Sequence, residues 1–463
     1  MNTNTQSSQA TIPRQEIRDL VRAQLQNLIA QDNLAGVKSL LSPVQPTDIA
    51  QAIEGLPENI QLVAFRLLGT EDAIAVYEQF NPITQKSLCE QFQSQEIRDI
   101  VDQMSPDDRA QLFDELPPQL LQRLYAEINP KEREATLLLL GYEPDTAGRI
   151  MTPEYISLKE NETVEQSLAH IRSLADVSET IYYLYVTDSQ QHLVGTLSLQ
   201  DLVMASLAQT IGEIMNRDSV CVQTKTDQEE VVRVIQDYDL LAVPVVDYEE
   251  RLVGIITVDD ALDIVQEEST EDIYKLSGVQ SEGDDYFQVN LFAVTKKRVF
   301  WLLILLVTNT FTSKIITSQE EILEQVVGLA AFIPLLNDTG GNVGSQSSTV
   351  IIRGFSTDEM RGMGNFQVIL REGLAGAILG LMLGIVAVIW AYILQRNLPI
   401  AFVVGISLFV ITIIASISGA TLPFIFRVLK LDPALMSAPF ITTTVDILGV
   451  LIYFALAVLL LQI

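Results

Sequence analysis

The chain of 463 residues carries 59 acidic and 29 basic residues, which gives a formal net charge of −30 at pH 7. The charge is unevenly divided, because residues 291–463 hold 9 acidic and 10 basic residues and are almost neutral. The excess negative charge therefore lies in residues 1–290. This part is a poor partner for nucleic acid and acidic lipids, and a good one for small hydrated cations. The alternative is a solvated acidic surface that only keeps the protein soluble.

The cysteines and histidines argue against a site for a soft metal. The chain contains Cys89, Cys221, His170 and His192, and these have neither the spacing of zinc or copper ligands nor that of a disulfide framework. We therefore expect a reducing compartment for the soluble part. The first ten residues are polar, show no secretory signal peptide and are expected to be disordered.

Residues 15–142 are predicted to be helical throughout, because apolar residues recur at intervals of three and four and prolines interrupt the pattern. A weak repeat at an offset of 60 matches Asp48–Pro57 with Asp108–Pro117. Stacked helical hairpins that form a small superhelix would give this pattern. Asp107 and Asp108 stand in the first turn of a predicted helix, where capping explains them, and a metal-binding role is the alternative.

Residues 150–206 and 212–268 form a second and clearer repeat. The matching segments are Ile150-Met151 with Ile214-Met215, and 193–201 with 252–260. Each unit is predicted to run strand, helix, strand, turn, strand, helix. This arrangement resembles a pair of CBS domains, the regulatory tandem of channels, transporters and some enzymes.

The resemblance to CBS domains implies a nucleotide site. In that family the positions of Ser198 with Asp201, and of Thr257 with Asp260, can hold the ribose of ATP or of another adenosine nucleotide. The interpretation that we favour is that each hydroxyl and acid cap the helix that follows.

The acidic segment after the second unit joins the soluble part to the apolar part. Asp260, Asp263, Glu267 and Glu271 would share one face of a continuous helix, but residues 269–272 look like a capping box and predict a break at Ser269. Glu268 and Asp272 add to the charge. Acids this close repel unless a cation neutralises them, and a hard divalent cation would do so. A solvated acidic face is the alternative.

Five apolar spans are predicted after a connector over residues 269–298, and each is long enough to cross about 30 Å of hydrocarbon. They are Val299–Ile316, Ile322–Ile352, Phe366–Leu394, Pro399–Phe426 and Ala434–Gln462. Lysines and arginines concentrate on one side, which places the soluble part in the cytoplasm and the C-terminus outside. The second span contains a very polar stretch, 337–346, which needs protein or water around it.

Two further features of the spans concern packing and chemistry. Gly376, Gly380 and Gly384 recur at a spacing of four, which indicates close packing either within one bundle or between copies. Asp446 is the one acid in the last apolar run, and a carboxylate at membrane depth costs about 3 kcal/mol. Thr442 lies on its helical face. We interpret Asp446 as a cation site in a membrane pathway; an acid near a helix end that reaches headgroup water is the alternative.

With these motifs the whole chain resembles the MgtE family of magnesium channels. The segments that carry the resemblance are 142–153 (YEPDTAGRIMTP), 268–276 (ESTEDIYKL), 340–346 (GGNVGSQ) and 432–435 (DPAL). The implied fold is a helical-hairpin superhelix, tandem α/β CBS domains and an all-α transmembrane domain of five helices.

The resemblance implies a homodimer with the ion path on its axis, between the second and fifth spans. Asp446 would hold hydrated Mg²⁺ in the pore, which Asn342 and Thr442 would line. The implied cytosolic sensing acids are Asp227, Glu229, Asp239, Asp260, Asp263, Glu268, Glu271 and Asp272. When cytosolic Mg²⁺ falls, these acids would repel, the domains would separate and the pore would open.

The expected function is therefore Mg²⁺ uptake across the bacterial plasma membrane, with Mg²⁺ as both substrate and regulator. A CBS-regulated transporter of Co²⁺ or Mn²⁺ is the main alternative, although the lack of Cys and His in the spans argues against a softer metal. A membrane enzyme is not expected, because the apolar part has no nucleophile–base pair. A sensor that conducts nothing is a third class, against which Asp446 argues.

Overall fold

The computed structural model describes residues 13–462 apart from 32, 92–93, 176, 278, 280–290, 358–359 and 361. The chain divides into two compact units, Met1–Gln266 and Glu267–Ile463. The first ten residues and the centre of the predicted connector 269–298 lie outside the described residues.

The first unit begins with short helices whose starts follow the prolines. Their bounds are α1 Arg14–Ala30, α2 Leu34–Leu41, α3 Pro46–Glu54, α4 Glu58–Arg66, α5 Thr70–Glu78, α6 Pro82–Gln91, α7 Ser94–Val101, α8 Pro106–Glu115, α9 Pro118–Glu127, α10 Pro130–Leu140 and α11 Ala147–Ile150. Proline suits the first helical position because the N–H that it lacks would have no partner there. The prediction that residues 15–142 are helical is confirmed.

The repeated segments of this helical region are held by different contacts. Asp48 in α3 is buried and accepts hydrogen bonds from Arg14, at 2.8 Å, and from Arg18, at 2.7 Å. These guanidinium groups hold the pKa of Asp48 below its usual range. Its repeat counterpart, Asp108 in α8, accepts no such bonds from arginine in the described residues.

The two CBS-like repeats fold alike. The first contains β1 Ser157–Leu158, α12 Val164–Leu174, β2 Tyr183–Thr187, β3 Leu193–Ser198 and α13 Leu199–Met204, and α14 Ile211–Ile214 leads into the second, which contains β4 Val222–Gln223, α15 Gln228–Asp237, β5 Ala242–Val246, β6 Leu252–Thr257 and α16 Val258–Leu276. In each sheet the first strand is parallel to the second and the third is antiparallel to it. A register shift falls at the same place in both. The predicted order of elements is confirmed.

The first residues of each CBS-like repeat pack against the other repeat. A Cβ built on Gly254 would stand 2.7 Å from the Sδ of Met151, and one on Gly195 would stand 2.6 Å from the Sδ of Met215. The methionine that opens each repeat therefore packs on the third strand of the other repeat. Glycine is needed at both strand positions because a side chain would collide with that sulfur.

The predicted helix break at Ser269 is wrong, because α16 continues without interruption from Val258 to Leu276. Ser269 and Thr270 are exposed on this helix. The surrounding Glu, Ile and Leu residues favour helix, and this outweighs the local capping signal.

The second unit is built from long helices. Their bounds are α17 Leu291–Ser318, α18 Glu320–Gln325, a 3₁₀ helix Val327–Phe332, α19 Ile333–Ser356, α20 Asn365–Gln395, α21 Leu398–Val428 and α22 Pro433–Leu461. Within the described residues, 4 helices are long and apolar enough to cross a membrane: α17, α20, α21 and α22. The predicted second span, Ile322–Ile352, is not one helix, because α18, the 3₁₀ turn and α19 divide it.

The glycine face of α20 is used inside this unit. A Cβ on Gly380 would stand 2.8 Å from the backbone oxygen of Phe409, and one on Gly384 would stand 2.8 Å from that of Gly405. Both contacts are with α21, so the glycines bring two helices of one bundle together. Of the two explanations open from the sequence, packing within the bundle is the one that this structure supports.

Candidate functional site

Asp446 lies near the middle of α22, far from both helix ends. At a rise of about 1.5 Å per residue, it is about 20 Å from either end, which is beyond the reach of a carboxylate to headgroup water. Its side chain is partly buried. The explanation that it simply reaches the membrane surface from a helix end is therefore disfavoured.

Close contacts show that α19 and α22 run antiparallel. A Cβ on Gly340 would stand 2.8 Å from a methyl group of Val445, and one on Gly344 would stand 2.6 Å from a methyl group of Ile441. Residue numbers therefore rise along α19 as they fall along α22. Bare glycine backbone lets the two helices approach closely.

A polar stripe follows the outer face of α19. We give this name to the exposed side chains of Asp338, Asn342, Gln346 and Thr349. They share one face because they are separated by three or four residues. Asn342, which was predicted to line a pore, is one of them. Thr442, the other predicted pore residue, is partly buried on α22, and its Cγ2 is 3.5 Å from a Cβ built on Gly341.

In the first unit, carboxyl groups from separate elements influence one another; we call them the acidic cluster, comprising Glu78, Asp107, Asp108, Glu179, Asp259, Asp260 and Asp263. Burial, followed by the charge of Asp260, raises the pKa of Asp107 well above its usual range. Burial raises the pKa of Asp260 to about 6, and the charges of Asp259 and Asp108 act in the same direction. Burial also raises the pKa of Asp108, with Asp263 and Asp259 contributing.

Three members of the acidic cluster, Glu78, Glu179 and Asp259, were missed by the sequence analysis. Burial raises the pKa of Glu78 to about 7, and Asp108 adds to this. Burial raises the pKa of Glu179 to about 7, and Asp260 adds to this. Glu78 ends α5, where an acid opposes the helix dipole, and this was the one local signal available. Glu179 lies in a loop and gave none.

The acidic cluster lacks neutralising partners. Within the described residues none of its members forms an ion pair with lysine or arginine, and Oδ1 of Asp107 is buried without a hydrogen-bond partner. The described residues also include no group of three or more His, Cys, Asp or Glu side chains placed to hold a metal ion. The carboxyl groups therefore repel one another without enclosing a bare ion.

Three further predicted sensing acids lie around α15 and make local contacts. Asp227 caps this helix and accepts a hydrogen bond from the N–H of Glu229 at 2.9 Å. Glu229 pairs with Arg233 at 3.1 Å. Asp239 is exposed in a left-handed conformation with φ of 51°.

The remaining predicted sensing acids, Glu268, Glu271 and Asp272, belong to the second unit. Lys275 Nζ lies 2.7 Å from Glu271 Oε1 and 2.7 Å from Asp432 Oδ2, so its ammonium bridges α16 to the residue before α22. Burial alone would lower the pKa of Lys275, but the hydrogen bonds to Asp432 and Glu271 outweigh it and raise that pKa. Glu271 thus already has a cationic partner.

Both residue pairs that could bind a nucleotide, Ser198 with Asp201 and Thr257 with Asp260, form helix caps. The Ser198 hydroxyl donates to Asp201 Oδ2 at 2.6 Å and accepts from the N–H of Asp201 at 3.2 Å. The Thr257 hydroxyl donates to Asp260 Oδ2 at 2.6 Å. These contacts agree with the capping interpretation.

Known family models match most of the helical region, both CBS-like repeats and much of the second unit. The MgtE family, described as divalent cation transporter, matches residues 333–456. The MgtE intracellular N domain matches 44–145, and the CBS domain matches 147–208 and 211–267.

Curated relatives are similar over most of the chain. A protein of Thermus thermophilus named magnesium transporter MgtE is 45% identical over 72% of this chain and 74% of its own length. Proteins with the same name from Enterococcus faecalis and Bacillus subtilis are each 39% identical, over 69% and 70% of this chain and over 70% and 72% of their own lengths.

Two solved structures are similar to about half of the chain. The cytosolic domain of the Mg²⁺ channel MgtE in complex with ATP is 37% identical, with a TM-score of 0.51 over 52% of this chain and 99% of that one. The soluble part of a magnesium transporter is 30% identical, with a TM-score of 0.50 over 56% of this chain and 100% of that one.

Proposed function

Because the chain belongs to the MgtE family of divalent cation transporters, we propose that it is a Mg²⁺ channel that cytosolic Mg²⁺ closes. The curated relatives that match most of the chain are named magnesium transporters, so the expectation that it is not an enzyme is confirmed. The proposed location is the bacterial plasma membrane, with the soluble unit in the cytoplasm and the C-terminus outside.

The observation that carries the proposal is the position of Asp446, midway along an apolar helix beside the antiparallel α19. Mg²⁺ gives up its waters reluctantly, so a carboxylate that contacts the ion through water can select it without stripping its shell. The proposed pore residues are Asp446, Asn342 and Thr442.

The polar stripe of α19 supports a homodimer. Asp338 and Asn342 are exposed on a single protomer. An acid that faced lipid at this depth would cost several kcal/mol. Covering this face with a second copy around a water-filled path avoids that cost, so we propose an ion path on the dimer axis.

The acidic cluster supports regulation by Mg²⁺. The pKa values of Asp107 and Asp260 are raised, and no member of the cluster forms an ion pair with lysine or arginine within the described residues. No three of the described acids are placed to enclose a bare ion, whereas a Mg²⁺ ion that keeps several of its waters can contact carboxylates that lie farther apart. Bound Mg²⁺ would favour the compact form by as much as it binds that form more tightly than the form with separated domains. The proposed sensing acids include Asp260, Asp263, Asp227, Glu229 and Asp239, with Glu268, Glu271 and Asp272 in the other unit.

A nucleotide at the CBS pair is a separate proposal. It is supported by the related cytosolic domain that was solved with ATP. Binding would require Asp201 or Asp260 to exchange its cap contact for a ribose hydroxyl. Titration calorimetry with ATP, on the wild type and on Asp201→Ala, tests this directly; no measurable heat with the wild type would end the proposal.

The channel proposal is tested by ion uptake into proteoliposomes that contain the full chain and a Mg²⁺-sensitive dye. We expect uptake with the wild type and a loss of at least about tenfold in Asp446→Ala, because the mutant lacks the carboxylate that attracts the ion. Removing this acid also removes a burial cost, so the protein should stay folded.

A matched control replaces an acid elsewhere in the same unit. Glu321 is exposed in α18, and Glu321→Gln should retain wild-type uptake. A panel of Mg²⁺, Mn²⁺ and Co²⁺ separates the proposal from its alternative: preference for Co²⁺ or Mn²⁺ would replace the assigned substrate. Wild-type flux in Asp446→Ala would remove Asp446 from the ion path.

A further inference from the structure

A second carboxylate lies at the level of Asp446. Gly340 packs on Val445 and Gly344 on Ile441, so each step along α19 is matched by a step back along α22. The same alignment places Asn337 of α19 beside Gly449 of α22. The side-chain Oδ1 of Asn337 lies 3.6 Å from a Cβ built on that glycine. Asp338, one residue beyond Asn337, therefore stands level with the turn of α22 that holds Asp446.

The two side chains at this level, Asp338 and Asp446, are both acids. Within the described residues neither carboxylate forms an ion pair with a basic side chain. Two negative charges at one level of an apolar unit repel strongly, since little water screens them.

The surroundings add a third observation. Oδ1 of Asn337 is buried and has no hydrogen-bond partner among the described residues. A lone amide oxygen in an apolar bundle is costly unless water or a cation reaches it. Asp338 itself is exposed on the polar stripe that continues through Asn342. The level of Asp446 is therefore polar on both helices.

We propose that Asp338 is the second carboxylate of the ion path, and that it and Asp446 together make the path prefer divalent over monovalent cations. This rests on the proposed channel function. In the proposed homodimer the two copies of Asp446 bring two negative charges to the path, and the two copies of Asp338 add two more. This denser negative charge attracts a divalent ion about twice as strongly as Na⁺ or K⁺. A water-filled gap between the carboxylates suits an ion that keeps its inner waters.

The test compares Asp338→Asn, Asp338→Glu and the charge-matched control Glu321→Gln, all as full chains in proteoliposomes. Mg²⁺ uptake is measured against Mg²⁺ concentration, with and without competing Na⁺. We expect Asp338→Asn to raise the half-saturating Mg²⁺ concentration about tenfold and to make Na⁺ a stronger competitor. Asp338→Glu keeps the charge and should recover much of the affinity that Asp338→Asn loses, whereas Glu321→Gln should stay near the wild type.

The outcomes separate the two proposals. Loss of flux in Asp446→Ala, with wild-type saturation and Na⁺ competition in Asp338→Asn, overturns the role of Asp338 alone. Wild-type flux in Asp446→Ala overturns the channel site itself. If Asp338→Asn is inactive, recovery in Asp338→Glu supports a charge at this position. An inactive Asp338→Glu that still elutes like the wild type on gel filtration contradicts it.

Discussion

Asp48 and Asp108 occupy equivalent places in the helical repeat, and Asp201 and Asp260 do so in the CBS repeat. In each case the first copy has a structural role: Asp48 is held by two arginines and Asp201 caps a helix. The second copies, Asp108 and Asp260, act on one another in the acidic cluster. Equivalent sequence positions thus acquire different chemistry from their neighbours. Within the described residues Asp48 is the one of these four acids that pairs with arginine, and Asp260 caps a helix as Asp201 does but also repels other acids.

The sharpest test of this difference removes both second-copy acids. Asp108→Asn with Asp260→Asn should raise, by about tenfold or more, the Mg²⁺ concentration that half-protects the soluble unit from proteolysis, because two carboxylates of the binding region are lost. Protection is followed by limited trypsin digestion at constant ionic strength.

The first-copy acid serves as the control in that experiment. Asp201→Ala should leave the Mg²⁺ dependence at the wild-type value, since Asp201 is exposed and lies outside the acidic cluster. An unchanged curve in the double mutant would show that the acidic cluster is only a solvated surface.

The pH dependence of Mg²⁺ stabilisation tests the cluster without mutation. The pKa values of Glu78 and Glu179 are raised to about 7 and that of Asp260 to about 6. The pKa of each of these groups is higher in the folded than in the unfolded protein. The stability that each group contributes is therefore full at low pH and is lost as pH rises through about 6 to 7.

Mg²⁺ should replace those protons, and its stabilising effect should therefore grow as pH rises. We expect the increase in Tm with millimolar Mg²⁺ to be largest near pH 8 and nearly absent near pH 5.5, where the carboxyl groups are protonated. Calorimetric melting at both pH values measures this. Equal Mg²⁺ effects at the two values would contradict the assignment of these groups to metal binding.

Neutralising the two copies of the helical repeat should change stability in opposite directions. Asp48→Asn removes the charged acceptor of Arg14 and Arg18 and should cost about 2 kcal/mol. Asp108→Asn relieves repulsion and should stabilise the metal-free protein by less than about 1 kcal/mol. Urea titration without Mg²⁺ gives both values, and a loss of stability in Asp108→Asn would mean that this carboxylate has a structural partner after all.

The smallest effect is expected at the first CBS repeat. Asp201→Ala removes the acceptor for the N–H and hydroxyl of Ser198 and should lower the Tm by at most about 2 °C. The melting curve of the full chain in millimolar Mg²⁺ checks this. A much larger loss would mean that Asp201 supports more than its own helix.

Much of the fold was predictable from the sequence because its signals are local. The prolines marked helix starts such as Pro106 and Pro130, and the repeated strand pattern marked β3 and β6. The break at Ser269 was mispredicted for a related reason: a four-residue capping pattern is weaker evidence than the helix that surrounds it. The second span was predicted as one helix because hydropathy does not register the 3₁₀ turn at Val327–Phe332.

The candidate sites were less predictable. Asp446 stood out because an acid in an apolar run has a cost that the sequence alone reveals. Glu78 and Glu179 did not, since nothing near them in sequence resembles a site. Asp338 lay within a stretch recognised only as polar, and its level relative to Asp446 depends on how α19 packs on α22.

By itself the sequence determined the uneven charge, the two internal repeats, the apolar spans and the family, because composition and periodicity are properties of the chain. Only the tertiary structure decided which acids are held by arginines and which repel one another. Asp107 and Asp260 are far apart in the chain, and burial between packed elements, rather than residue type, raises their pKa values. Desolvation and the field of neighbouring charges depend on distance in space, which no local pattern specifies.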